Sequence, residues 1–279
     1  MKLHAPTRLP GFITFISCLV FALTASAEVK LPNVIGSGMV LQRDLPVPVW
    51  GWAEPGEKVS VSFAGQNEST KAGDDGKWMV KLSALKASAK PASLTIKGSN
   101  EIKLENILVG EVWICSGQSN MEWSIRQSMN AKEEIEASNH PNIRLFNVPG
   151  HKVSPLPKER LAIPAKWTTC SPQTSSGFSA VGYYFGRRLQ KELDVPIGLI
   201  GSNWGGTRIE PWTTLDGFKS VPELANLAKQ VENHKAGTRV GGGTPSAIYN
   251  QMVHPLAPFA MRGGIWYQGE SNGGEHMSY

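Results

Sequence analysis

The sequence NILVGEVWICSGQSNM at residues 106–121 decides the fold class. Its first ten residues are mostly apolar, which is typical of a strand buried on both faces of a parallel sheet. Gly117 then predicts a sharp turn, and a helix is expected to begin near Asn120. A buried strand that turns directly into a helix is characteristic of α/β folds, in which functional groups gather at the carboxyl ends of strands.

Ser119 follows this turn, and two roles are open for it. Its hydroxyl could act as a nucleophile at the edge of the sheet, with its own backbone N–H stabilising a developing oxyanion. Alternatively, Ser119 could simply cap the helix, which is the usual reason for serine at such a position. This stretch does not form the Gly-x-Ser-x-Gly elbow of α/β-hydrolases, because Met121 occupies the place of the last glycine.

Residues 107–279 alternate between buried strands and helices, which predicts a parallel sheet covered by helices on both sides. Further strands are predicted at residues 142–148, 195–201 and 263–269, and helices at residues 178–193 and 246–259, the second ended by proline. The glycine-rich residues 237–246 are expected to form a mobile loop. No strand leads into them and no Gly-Lys-Ser/Thr follows, so they do not indicate a phosphate site.

Residues 28–106 have a different pattern, with short alternating or β-branched segments separated by turn residues. Among these turns, Asp75-Gly76 predicts a β-hairpin. We therefore expect an antiparallel β-sandwich domain before the α/β domain. Its strands are predicted at residues 47–50, 58–63, 78–82 and 93–98.

Residues 1–27 have the features of a cleaved secretory signal: basic residues, a short apolar stretch and Ala-Ser-Ala before Glu28. Cys18 lies within the apolar stretch, but FISC is a poor lipoprotein box, so lipid attachment is the weaker alternative. We expect a secreted or periplasmic protein, cleaved near Ala27. Cleavage would remove Lys2 and Arg8 and so lower the formal net charge from +5 to +3.

The 279 residues, 41% hydrophobic and 18% charged, suffice for one large or two modest domains. No dense Lys/Arg stripe indicates nucleic-acid binding, and no later segment is apolar enough to span a membrane. Cys115 and Cys170 could pair in an oxidising compartment or remain buried free thiols. No spacing indicates a metal site, and no cofactor is expected.

Two further loops follow predicted strands as the Ser119 loop does. In GSNWGGTRIEPW, residues 201–212, the adjacent glycines let the backbone approach a ligand and offer a second oxyanion donor. In WYQGESN, residues 266–272, Gln268 offers an amide and Glu270 a carboxylate. Each loop alone could be an ordinary turn. The topology, however, would bring all three to one face of the sheet.

Four segments, in this order, resemble the sialate O-acetylesterases and the related acetylxylan esterases of the SGNH hydrolase superfamily. They are VGEVWICSGQSNMEW, GLIGSNWGGTRIEPW, IYNQMVHPL and GGIWYQGESN. The earlier MVLQRDLPVPVWGWAEPGEKV resembles the β-sandwich domain that such proteins carry. The resemblance implies an SGNH-type three-layer α/β/α sheet preceded by an antiparallel β-sandwich. It also implies a serine esterase that removes O-acetyl groups from sialic acid or another sugar through an acetyl-enzyme.

The resemblance also implies roles for individual residues. Ser119 matches the nucleophile. The matches to the oxyanion hole are the N–H of Ser119, a glycine of the pair Gly205 and Gly206, and the side chain of Gln268 or Asn272. The residues implied to bind substrate or to support the site are Asn120, Arg208 and Glu270.

A serine nucleophile needs a base, which in SGNH enzymes is a histidine near the end of the chain, usually with an acidic residue two or three positions before it. No Asp-x-x-His or Asp-x-His occurs here, so we expect a C-terminally truncated member whose base lies beyond Tyr279. Such a chain should be nearly inactive and should expose a sheet edge. The alternative is a non-catalytic carbohydrate-binding or cell-surface protein built on a vestigial esterase fold, and the oligomeric state is left open.

The histidines of the sequence offer no evident substitute for that base. His140 and His151 are expected in loops beside the second predicted strand, and His234 on a solvated segment. His254, at the predicted end of a helix, suits a structural role, and nothing fixes His276 in the terminal tail.

Overall fold

The computed structural model describes residues 1–2 and 28–278, with side chains described as far as residue 274. Apart from its first two residues, the predicted signal peptide therefore lies outside the described residues, as does the His276 side chain. The strands are β1 (Val40–Gln42), β2 (Val47–Trp52), β3 (Lys58–Phe63), β4 (Gln66–Lys71), β5 (Lys77–Leu82), β6 (Ser88–Lys97), β7 (Glu101–Gly117), β8 (His140–Asn147), β9 (Trp167–Cys170), β10 (Ile197–Asn203) and β11 (Gly263–Tyr267). The α-helices are α1 (Ser119–Glu122), α2 (Ala131–Glu136), α3 (Pro172–Ser175), α4 (Ala180–Leu193), α5 (Leu215–Lys219) and α6 (Ala225–Glu232).

The amino-terminal strands form the two layers of the predicted sandwich. β2 pairs antiparallel with β5, and β4, β3, β6 and the first part of β7 form the facing sheet, to which β1 adds in parallel. Side chains alternate between core and solvent, so that Val59, Val61 and Phe63 of β3 are buried. The predicted sandwich is thus confirmed.

The predicted Asp75-Gly76 hairpin is wrong in one respect. The turn is present, with Gly76 N–H donating to Gly73 O at 2.9 Å. The strands on either side of it, however, lie in different sheets, since β4 pairs with β3 and β5 pairs with β2. The turn therefore carries the chain from one layer of the sandwich to the other.

β7 belongs to both sheets of the molecule. Its seventeen residues pair with β6 and β1 near its start and with β10 and β11 near its end. From Ile107 onward no residue of β7 is exposed, and this is where the sequence pattern predicted a new domain. The predicted boundary at residues 106/107 therefore falls inside one strand.

The second sheet has the strand order β11-β7-β10-β8-β9, and its first four strands are parallel. α4 covers one face, where Gly182 and Gly186 allow close packing against Cys115 and Leu199. This helix begins at Ala180, because the Ser179 hydroxyl caps it by accepting from Gly182 N–H at 3.1 Å. The α/β prediction is confirmed.

The opposite face is covered by residues 246–259, for which one helix was predicted. The chain instead forms a π-helical turn, Tyr249–Val253, followed by a 3-10 turn, His254–Leu256. Pro255 explains the difference, because it has no N–H to continue an α-helix and its ring crowds the preceding turn. Met252 and Phe259 nonetheless bury their side chains against the sheet.

β11 is an edge strand of the described sheet, and Trp266 and Tyr267 on it are 46% and 45% exposed. Cys115 and Cys170 are buried free thiols, and burial raises the pKa of each to about 12. Within residues 28–278, no helix is both long and apolar enough to cross a membrane. The same described residues contain no cluster of His, Cys, Asp and Glu suited to a metal ion.

Candidate active site

Three parallel strands end side by side at Gly117. In the sheet register, Gly117 of β7 lies opposite Asn203 of β10 and Tyr267 of β11. Gly117 has φ +145°, and a Cβ there would lie 2.1 Å from Tyr267 O, so a side chain does not fit. This close approach lets the chain leave the sheet and begin α1 within two residues, which places Ser119 above the strand ends.

Ser119 does not cap α1. It is the first residue of the helix, Gln118 occupies the capping position, and no side chain makes the capping hydrogen bond. The exposed Ser119 hydroxyl instead accepts a hydrogen bond of 3.1 Å from the backbone N–H of Gly206, on the loop after β10. The choice between cap and functional group is therefore decided against the cap.

The Ser119 loop is also tied to the loop after β11. The buried Gln118 side chain accepts from the N–H groups of Gly269 and Ser271 at 3.2 and 3.4 Å. Asn120 adds a hydrogen bond from its amide to the Glu270 carboxylate. Asn120 and Glu270 thus hold the two loops together, as supporting groups would.

The loops after β10 and β11 are joined through Asn272. Its Oδ1 accepts from Ile209 N–H and from Gln268 Nε2, both at 2.9 Å, and its Nδ2 donates to Glu210 at 3.3 Å. Arg208 pairs with Glu210 at 2.8 Å. The three loops therefore meet at one face, as their positions in the sequence predict.

Of the candidate oxyanion donors, the structure brings the N–H of Gly206 to Ser119 Oγ. The N–H of Gly205 donates instead to Glu122 Oε2 at 2.6 Å. The side-chain amides of Gln268 and Asn272 are engaged in the contacts between loops described above. Sequence spacing alone could not separate the two glycines, because their roles depend on which way each peptide points.

Ser119 opens into a cavity of about 440 Å³ with a largely polar lining. Asn203, at the end of β10, lines it, although the sequence did not single out this residue. Two side chains of its lining are exposed, those of Trp123, at 48%, and of Arg126. The cavity therefore combines an aromatic ring, a positive charge and hydrogen-bonding groups.

His151 also lines this cavity, which the sequence did not reveal. Its ring lies parallel to that of Trp204, with centroids 4.6 Å apart and planes at 8°, and its Nε2 is 2.7 Å from Glu122 Oε1. The one sequence signal for Glu122 was its position three residues after Ser119, which places both on the same side of a helix.

The other described histidines lie elsewhere. His140 begins β8, rather than lying in a loop, and is 3.3 Å from the Tyr183 hydroxyl. His254 contacts Lys158 O at 2.9 Å and lines a different cavity. His234 was expected to be solvated, but its Nδ1 is buried and has no hydrogen-bond partner among the described residues. None of the described histidines hydrogen-bonds Ser119.

Comparisons with known proteins identify the family of the chain. Residues 109–278 match the family model described as carbohydrate esterase, sialic acid-specific acetylesterase. The chain is 32% identical over 269 residues to the sialate O-acetylesterase of Homo sapiens, covering 89% of this chain and 50% of that protein. The Mus musculus sialate O-acetylesterase is 30% identical over 304 residues, with 94% and 56% covered.

A solved structure, that of a carbohydrate acetylesterase from Xanthomonas citri, superposes with a TM-score of 0.76 at 37% identity, covering 88% of this chain and 52% of that one. The chain thus spans about half the length of the curated relatives that it matches. The family match covers the strand ends and loops that surround Ser119. The chain therefore belongs to the sialic acid-specific acetylesterase family of carbohydrate esterases.

Proposed function

We propose that the protein hydrolyses acetyl esters of carbohydrates, with Ser119 as the nucleophile. The observation that carries the proposal is the exposed Ser119 hydroxyl, held 3.1 Å from a backbone N–H in a polar cavity. Acyl transfer requires a nucleophile and a hydrogen-bond donor beside the carbonyl it attacks. Both are supplied here by neighbouring strand ends.

In the proposed reaction, Ser119 Oγ attacks the acetyl carbon and loses its proton to a base. Because Gly206 N–H lies beside Oγ, it can donate to the carbonyl oxygen as that oxygen becomes negative, together with the N–H of Ser119. The sugar hydroxyl leaves with a proton, and an acetyl-enzyme remains. Water then attacks this ester, acetate is released and the Ser119 hydroxyl is restored.

The base is a separate part of the proposal. Because no described histidine hydrogen-bonds Ser119, we infer that the described residues supply the nucleophile and the oxyanion donor but not the proton acceptor. Weak turnover by this chain would agree with the inference, provided that the turnover depended on Ser119.

The substrate class is inferred from the family and from the cavity. The relatives are sialate O-acetylesterases and a carbohydrate acetylesterase. In this chain, exposed Trp123 offers a flat apolar face, and exposed Arg126 offers a positive charge. Sugars commonly bind such mixtures of aromatic and polar groups. Sialic acid and xylan both remain candidate carriers of the acetyl group.

The test is hydrolysis of p-nitrophenyl acetate, O-acetylated sialic acid and acetylated xylan oligosaccharides by the protein and by Ser119→Ala. We expect weak turnover that Ser119→Ala abolishes without lowering the melting temperature, since the hydroxyl is exposed. Turnover that survives the substitution would exclude Ser119 as the nucleophile. A preference for one sugar would identify the acetyl carrier.

A second candidate function is carbohydrate binding without hydrolysis, which is favoured because no described histidine hydrogen-bonds Ser119. It predicts that acetylated sugars quench tryptophan fluorescence in a saturable manner while no acetate is released. Trp123, which lines the cavity, and Trp204, which stacks on the cavity residue His151, provide the signal. Serine-dependent release of acetate would reject this alternative.

We also propose that residues 1–27 are a cleaved signal and that the protein is secreted or periplasmic. Support comes from the basic and apolar pattern that precedes Ala-Ser-Ala. The mature protein should begin near Glu28, which mass spectrometry of the protein recovered from its native host would show. A mature protein that retained residues 1–27 would refute the proposal.

A further inference from the structure

The carboxylate of Glu122 lies between two separate segments of the Ser119 site. One oxygen, Oε2, accepts the N–H of Gly205 at 2.6 Å. The other, Oε1, lies 2.7 Å from His151 Nε2. Hydrogen bonds to a charged acceptor are the stronger ones, so this carboxylate can fix the backbone of the loop after β10.

The peptide that Glu122 fixes is adjacent to the oxyanion donor. Gly206 follows Gly205 directly, and its N–H points to Ser119 Oγ. A Cβ added to Gly205 would lie 3.0 Å from Glu122 Oε2 and 3.2 Å from Ser119 Oγ, so both oxygens pack against the same glycine. Gly206 has φ +74°, and a Cβ added there would meet no atom within 4 Å, so side-chain packing at this residue does not hold the turn.

His151 holds the same loop in a second way. Its ring stacks on Trp204, which precedes Gly205 and whose backbone N–H donates to Gly117 O at 3.0 Å. With a proton on Nε2, the ring donates to Glu122 and orients the carboxylate. Because that nitrogen is directed at Glu122 and not at Ser119, the geometry suits orientation rather than removal of the serine proton.

We propose that Glu122 and His151 are positioning residues for ester hydrolysis at Ser119: they hold the Gly205–Gly206 turn so that Gly206 N–H is presented to the developing oxyanion. This inference rests on the proposed function. Glu122 acts through Gly205, and His151 acts through Glu122 and Trp204. Neither residue needs to touch the acetyl group.

The kinetic test compares Glu122→Ala, Glu122→Gln and His151→Ala with the parent on p-nitrophenyl acetate. Loss of one oxyanion donor typically lowers kcat by about 100- to 1000-fold, so a misplaced donor should lower it by roughly 10- to 100-fold with little change in KM. Glu122→Gln keeps an oxygen for Gly205 N–H and should recover most of kcat. Glu134→Ala, which removes a carboxylate paired with Arg187 outside the cavity, is the matched control and should leave kcat unchanged.

The second readout does not depend on turnover. In ¹H–¹⁵N spectra, Glu122→Ala should shift the amide signals of both Gly205 and Gly206, although Glu122 bonds only the first. Ser119→Ala should shift the Gly206 signal, and Glu134→Ala should shift neither. If the parent showed no turnover, the proposed function would fail while these spectra still tested the positioning.

Three results would overturn the inference. One is a Gly206 amide unchanged by Glu122→Ala, which would show that the carboxylate does not hold the turn. Another is a loss of kcat in Glu122→Ala no greater than in Glu134→Ala. The third is a loss in His151→Ala as complete as in Ser119→Ala, which would make His151 the base. If Glu122→Ala failed to fold, His151→Ala would provide the kinetic comparison with Glu134→Ala and Ser119→Ala.

Discussion

Replacing Gly117 with alanine should separate β7 from β11 at the point where the Ser119 loop begins. The new Cβ would lie 2.1 Å from Tyr267 O and 2.6 Å from Tyr267 C, both of them backbone atoms. Carbon and oxygen atoms in contact stay more than 3 Å apart, so the strands must move apart by roughly 1 Å. This movement would break the 2.9 Å hydrogen bond from Gln118 N–H to Tyr267 O.

The size of the effect follows from two costs. A non-glycine residue held at φ +145° costs about 1–3 kcal/mol, and losing the hydrogen bond adds about 0.5–1.5 kcal/mol. The free energy of unfolding should therefore fall by about 2–4 kcal/mol. In a domain of this size, such a loss corresponds to a melting temperature lower by roughly 4–15 °C. Ester hydrolysis should fall as well, because Ser119 and Gly206 would no longer keep their spacing.

The measurement is thermal unfolding followed by circular dichroism, together with acetate release. Gly56→Ala is the matched control, since Gly56 has φ +78° but would place its Cβ in open space. The Gly56→Ala variant has the conformational cost of a positive φ without the steric clash, and should lower the unfolding free energy by about 1 kcal/mol. Equal losses of melting temperature in the two variants would refute the argument that close approach to Tyr267 requires glycine.

Three further predictions concern side chains that are buried or half-buried. Cys115 and Cys170, with pKa values raised by burial to about 12, should not react with a thiol reagent at pH 8 until the protein unfolds, whereas rapid reaction in the native state would contradict their burial. Arg43→Ala leaves Glu111, 3% exposed and bonded to Arg43 at 2.7 Å, without its main partner, so denaturant unfolding should show a loss of up to about 3–5 kcal/mol. Desolvation lowers the pKa of His140 in the folded state, so protonation favours unfolding and stability is lost as pH falls. The substitution His140→Gln should therefore reduce the drop in melting temperature between pH 7.5 and 5.5. An unchanged drop would contradict this expectation.

Periodicity predicted the β-sandwich and the parallel sheet because both depend on local burial patterns. β3 was predicted with the observed bounds, and α4 with bounds two residues too long at its start. The pairing of β5 depends instead on which distant apolar face it covers, which the local turn at Asp75-Gly76 does not encode. Likewise, β7 is a single strand that pairs in both sheets, and no local sequence pattern distinguishes such a strand from two consecutive strands.

The site was predictable where it follows strand ends and not where it depends on loop paths. Ser119 and the glycine pair follow directly from β7 and β10, so topology placed them together. His151 comes from the loop after β8, and its approach to Glu122 depends on stacking against Trp204. Such a contact joins residues distant in the chain, and their spacing in the sequence carries no signal of it.

The side-chain amides of Gln118 and Asn272 also explain why the Gly206 N–H is available to Ser119. Where parallel strands end, the sheet no longer pairs the backbone N–H groups, and each buried one needs an acceptor. Gln118 accepts those of Gly269 and Ser271, and Asn272 accepts that of Ile209. These contacts, with Glu122 on Gly205, fix the three loops without using Gly206, whose N–H is left to the serine hydroxyl. Replacing Gln118 or Asn272 with an apolar residue should therefore disorder the turn that carries the Gly206 N–H before it disturbs the sheet.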